Sequence, residues 1–204
     1  MGSRIMHLII ANQIAGKTKI QDKQTFLLGG IAPDAVHPKV RSHFYKGSDK
    51  DFSTKIEFEK FFKKYPEKTD YLLGYYTHLI ADHLWIHGFY FGWLKNRMNA
   101  DETLYQRYHG DFRVLNAKLL NYYQLDHGLL NNLDFNNIPD LDEVKKADVE
   151  AFVPYVLEDM NYPKEHLDAE LNVFTFQQII GYIESCAHLG LIRLKELGVD
   201  TVEH

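Results

Sequence analysis

His78 and Asp82 stand four residues apart in the stretch THLIADHLW. On a helix that spacing puts both side chains on one face. An imidazole nitrogen and a carboxylate oxygen so placed can grip one divalent cation, at about 2.0–2.2 Å for zinc. The pair is equally read as a core histidine hydrogen-bonded to its own i+4 aspartate. Trp85 lies about 20° from His78 around the same helix, where it would form an apolar wall beside the pair.

Three more residues of ligand type precede the pair. His7 sits inside an apolar helical stretch (Ile5, Met6, Leu8, Ile9, Ile10), Asp34 follows Pro33, and His43 falls in a polar loop. A polar side chain inside an apolar run needs a partner. A loop Asp or His is either solvated or at work. Each residue alone reads as a solvated group or a single buried hydrogen bond. Together they recur in the order His, Asp, His, His-x3-Asp, which is a metal-ligand set. The one cysteine, Cys186, cannot build a thiolate site. A nitrogen and oxygen site with several carboxylates can hold two or three ions bridged by Asp, an arrangement suited to phosphoester hydrolysis.

Weaker candidates surround this core. Asp111, in YHGDFRVLN, can add a carboxylate from a later helix, with His109 beside it. His37, three after Asp34, can join it. His83 and His87 are four apart, but a straight helix turns them roughly 100° or more from the His78–Asp82 face. They form a separate pair or lie at the surface. His127, His166, His188 and His204 show no partner pattern.

The elements that must position these residues are helical. Ile5 to Ala15 shows helical spacing, with Gly16 as its stop. Phe26 to Ile31 is a short apolar segment holding Gly29 and Gly30. Pro33 and Pro38 then favour a loop, running to about Ser53. Phe58 to Lys64 reads as a short amphipathic helix, and Thr69 or Asp70 caps the next. Tyr71 to Met98 is long, apolar and aromatic, interrupted near Gly88 or Gly92. Asp101 caps a helix to about Leu125, and further helices run from Glu143 to Met160 and from Thr175 to Leu197. Few stretches alternate with period 2. The expected fold is all-α: one domain over 1–204, a multi-helix bundle with a metal cluster between its helices.

Composition agrees. The 204 residues are 45% hydrophobic and 25% charged, which disfavours disorder. No apolar run is long enough to span a bilayer. A formal net charge of -5 argues against non-specific nucleic-acid binding. The lone cysteine fits a reducing compartment. The N-terminal stretch reads as the first helix rather than a signal peptide, so the expected location is cytoplasmic. The oligomeric state is not set by the sequence.

The blocks SRIMH, FLLGGIAPD, SHF and LGYYTHLIADHLW resemble the bacterial zinc-dependent phospholipase C-like family. They hold His7, Asp34, His43, His78 and Asp82 in the family's order and cover roughly the first half of the chain. The resemblance implies an all-helical fold with one to three divalent ions, zinc before iron or manganese, that hydrolyses phosphodiesters. It implies that His7 helps bind one ion, that Asp34, His43 and His78 bind another, and that Asp82 bridges. It makes Asp34 the base that takes a proton from the attacking water. The implied partner is a small phosphorylated substrate or a lipid headgroup. Single-strand nucleases share this cluster, so it does not select the substrate. Secreted members add their N-terminal amino group, and a His with a His-x3-Glu pair. This chain begins Met1-Gly2-Ser3, and its available substitutes for those ligands are His83, His87, His109 and Asp111.

Two other readings stand beside this one. HD-domain nucleotide phosphohydrolases are also helical, but their mark is an adjacent His-Asp pair, and here Asp82-His83 runs in reverse. A non-catalytic metal- or ligand-binding helical protein would use the aromatic stretch, with Tyr75, Tyr76 and Trp85, to line an apolar pocket.

Overall fold

The structure is a computed structural model that describes residues 2–131 and 133–202, so Met1 and His204 lie outside it. Its helices are α1 (Arg4–Gly16), α2 (Lys23–Ile31), α3 (Lys39–Ser42), α4 (Phe58–Lys64), α5 (Asp70–Trp85), α6 (Lys95–Ala100), α7 (Leu104–Tyr123), α8 (Lys146–Asp159) and α9 (Phe176–Glu196). Strands β1 (Tyr45–Lys46) and β2 (Lys55–Ile56) pair antiparallel, Tyr45 opposite Ile56. The class is all-α, as the spacing predicts.

α1 begins where Ser3 accepts a hydrogen bond from the Met6 N–H at 3.3 Å. Residues Ile5 to Ala11 are buried without interruption. A helix with no solvent face must run through the interior, and α1 packs against α2, α5 and α9. His7 is carried into the core on this helix.

α2 and α5 touch backbone to backbone. A Cβ on Gly29 would lie 2.0 Å from the Tyr71 carbonyl oxygen, and one on Gly74 2.0 Å from that of Phe26. Only residues without a Cβ allow this approach. The approach brings the Gly30 carbonyl onto His78, one turn beyond Gly74.

The cap expected at Thr69 is present, while Asp101 ends α6 instead of capping α7, which begins after Thr103. Thr69 accepts from the Leu72 N–H at 3.3 Å. Thr175 and Gln178 cap α9 reciprocally, at 2.8 and 3.2 Å. Three further expectations change. The helix after α5 does not break at Gly88 or Gly92, but widens into a π-helical segment, Ile86–Leu94. There Trp85 and Phe89 stack at 4.8 Å, and Phe174 and Tyr182 close round them. α8 starts at Lys146 rather than Glu143, whose carboxylate instead accepts from Lys64 and Tyr65 near α4.

The expected loop to Ser53 is a 3-10 turn (Ala32–Ala35), α3 and the β1–β2 hairpin. Elements of two to four residues are too short to show a period. The hairpin is seated on the π-helical segment. The Phe52 and Phe91 rings lie 5.2 Å apart, and the Lys95 Nζ sits 3.6 Å from the Phe52 ring centroid. No helix among the described residues is long and apolar enough to cross a membrane.

Gly74→Ala should lose about 3 kcal/mol or more, because overpacking here meets rigid backbone. Gly181→Ala, on an open part of α9 where a Cβ meets nothing within 4 Å, should gain about 0.5–1 kcal/mol. Chemical denaturation of the two variants checks the contrast.

Candidate metal centre

The five sequence candidates converge. His7 comes from α1, Asp34 from the 3-10 turn, His43 from the residue after α3, and His78 and Asp82 from α5. His43, His78 and Asp82 are fully enclosed, with side chains 0% exposed, and Asp34 is 8% exposed. His7 stacks on His78, ring centroids 3.7 Å apart at 14°.

Backbone carbonyls fix two of the imidazoles. His78 Nδ1 lies 2.8 Å from the Gly30 oxygen. His43 Nδ1 lies 3.1 Å from the Lys39 oxygen and 2.9 Å from the Ser42 Oγ. A carbonyl oxygen only accepts, so each Nδ1 carries the hydrogen and each Nε2 is left with a lone pair. Those two Nε2 atoms face one another at 3.2 Å. With both rings neutral neither can donate to the other, and a cation shared between them would make the arrangement favourable.

The carboxylates complete the set. Asp34 Oδ1 and Asp82 Oδ2 each lie 3.3 Å from His43 Nε2, and Asp82 Oδ2 lies 3.9 Å from His78 Nε2. Ligand atoms bound to one tetrahedral zinc stand roughly 3.3 Å apart, given bonds of about 2.0–2.1 Å. The donor types and spacings therefore fit such an ion. Asp82 Oδ1 turns the other way, 3.4 Å from His7 Nε2. That oxygen and His7 Nδ1 are buried without a hydrogen-bond partner. Two groups of three ligand atoms result: Asp34, His43 and His78, and His7, His78 and Asp82.

The electrostatics are those of a ligand set. Burial alone would raise the pKa of Asp34, but His43, His78, Lys39 and His7 hold it well below the usual carboxylate range. Asp82 is likewise held low against burial, by His7, His43 and His78. Burial, with His7 beside it, pushes His78 well below an ordinary imidazole, which favours the neutral form that a metal ligand needs.

Asp111 is corrected. It is fully buried, but its oxygens accept from the backbone N–H groups of Asn172, Val173 and Phe174 at 2.7–3.1 Å. It ties α7 to the segment before α9 and joins neither ligand group. Trp85 packs with Phe89, Tyr108, Phe112, Phe174 and Tyr182. His37, His87 and His109 are exposed, and His83 lines a groove with Phe58, Tyr76 and Arg193. The chain also contains a His-x3-Glu spacing, His166 and Glu170, outside the candidates named from sequence. It straddles the end of a 3-10 turn and joins neither group.

Sequence reasoning missed four contacts. Tyr45 donates to Asp82 Oδ2 at 2.8 Å, Lys39 forms an ion pair with Asp34 Oδ1, and the Lys39 and Gly30 carbonyls aim the rings. The i+4 spacing of Lys39 and His43 was a usable signal. Nothing in the pattern links Tyr45 to Asp82.

A family model described as Zinc dependent phospholipase C matches residues 6–187, most of the 204-residue chain. The chain belongs to that family. Comparison with curated proteins and with solved structures gives no match. The family is zinc-dependent, and the phospholipase C-like chain holds His and Asp groups able to bind a metal.

The depressed pKa of His78 has a sign. As pH falls below its ordinary value of 6.5, the unfolded chain binds that proton before the folded one, and stability falls. The carboxylate contribution persists until pH drops through the lowered values of Asp34 and Asp82, beneath 3.8. Chelator-treated protein should therefore lose melting temperature between neutral pH and about pH 5. His78→Asn, which can still donate to the Gly30 carbonyl, should flatten that segment. Thermal unfolding across pH reads the difference.

Proposed function

We propose that this chain is a phosphodiester hydrolase working through one or two zinc ions. The observation that supports it most is the pair of Nε2 lone pairs facing at 3.2 Å, flanked by two enclosed carboxylates. Asp34, His43, His78 and Asp82 Oδ2 would hold the first ion. His7 and Asp82 Oδ1 would contribute to a second, with Asp82 bridging.

Zinc bound there supplies Lewis acidity toward water and a phosphoryl oxygen. The chain's own residues do the rest. Gly30 and Lys39 hold the two imidazoles in the metal-ready tautomer through their carbonyls. Tyr45 orients Asp82. Asp34 is the one carboxylate of the set with exposed surface, and this supports the reading that it would take the proton from the attacking water. The substrate is a small phosphorylated molecule or a lipid headgroup ester. The Asp82-His83 pair does not serve an HD-type reading, since His83 turns away to the groove beside Phe58 and Arg193.

Zinc-loaded protein should hydrolyse bis(p-nitrophenyl) phosphate, lose that activity on chelation and regain it with zinc. Asp34→Asn should lower kcat/KM by about a hundredfold or more. A panel of glycerophospholipids and cyclic or dinucleotide phosphodiesters then assigns the substrate. Equal turnover by chelated and zinc-loaded protein would overturn the proposal.

A further inference from the structure

The enclosure of the centre leaves one approach to it. Among the five candidate ligands, four side chains are 0–1% exposed, and Asp34 alone shows surface, at 8%. The residue lying over Asp34 is Lys39, whose side chain is 26% exposed and whose ammonium pairs with Asp34 Oδ1. That same oxygen faces His43 Nε2. An incoming group therefore meets Lys39 before it meets a ligand.

Lys39 is rooted in the site. Its carbonyl oxygen accepts from the His43 backbone N–H at 2.9 Å and from His43 Nδ1 at 3.1 Å. Its backbone thus cannot shift without moving a ligand ring, while its four-carbon side chain can swing.

Charge gives the consequence. Two carboxylates and neutral imidazoles are balanced by one divalent ion. Lys39 then leaves the mouth cationic, which favours an anion over a neutral ester. We propose that Lys39 is the phosphate-binding side chain of this centre: its ammonium passes from Asp34 Oδ1 to a non-bridging oxygen of the substrate's phosphate, releasing Asp34 to act. The inference rests on the proposed zinc centre and extends it to the recognition of the anion.

The test is calorimetric titration of inorganic phosphate into zinc-loaded protein freed of excess ion, with zinc content measured beforehand. Lys39→Met keeps the length and apolar stem and removes the charge. It should weaken phosphate binding about tenfold or more, with zinc content unchanged. Lys39→Arg should restore most of the affinity. If zinc content stays whole and phosphate binds Lys39→Met as well as it binds the parent, the role of Lys39 is overturned and the metal centre stands. Loss of zinc in Lys39→Met would make the residue a support for Asp34 and would also overturn the proposal. Failure of the parent to take up zinc would overturn the metal reading itself, and failure of the zinc-loaded parent to bind phosphate would overturn this one alone.

Discussion

Two imidazole nitrogens with outward lone pairs, held 3.2 Å apart on fully buried side chains, are the constraint on which the rest of this structure turns. In the neutral rings no hydrogen lies between them, because the one hydrogen of each ring is committed to a carbonyl. Enclosed carboxylates add the opposite demand. Asp34, paired with Lys39, and Asp82, which accepts from Tyr45, keep their charge in a buried site, where a charge is costly to hold. A cation among the four groups would resolve both demands at once, and the spacings of 3.2 and 3.3 Å around His43 Nε2 match those of donors on one tetrahedral zinc.

The backbone carries much of this arrangement. Gly29 and Gly74 let α2 and α5 approach until the Gly30 carbonyl reaches His78. The last turn of α3 supplies the Lys39 carbonyl to His43. α1 runs through the interior and delivers His7 as a ring stacked on His78. The hairpin, clasped to the π-helical segment by Phe52, Phe91 and Lys95, brings the Tyr45 hydroxyl to Asp82. Two carbonyls and a hydroxyl thus orient the ligands without belonging to them, and each support can be disturbed while the ligand residues stay intact.

Much of this was legible in the residues. The i, i+4 spacing of His78 and Asp82 belongs to helix geometry, and a single polar side chain in the apolar run of α1 signalled that His7 has a partner. Thr69 marked a helix start by its capping chemistry. The failures have physical causes too. Asp111 is a carboxylate near a histidine, and sequence alone does not tell a ligand from a residue that binds backbone N–H groups of a distant segment. α3 and the hairpin are shorter than the run of residues a periodic pattern needs. The carbonyls of Gly30 and Lys39 belong to the main chain, which every residue has, so their role appears only once the helices are packed. Trp85 has the right helical phase for the site, yet the neighbouring rings of Phe89, Phe174 and Tyr182 place it in an aromatic cluster.

The most direct measurement is an anomalous difference map, recorded on either side of the zinc absorption edge, from crystals of zinc-loaded protein. The account predicts an ion bonded to the Nε2 atoms of His43 and His78 and to Asp34 and Asp82, at about 2.0–2.2 Å. An ion seated instead at His83 and His87, or no ion between the two facing Nε2 atoms, would contradict it.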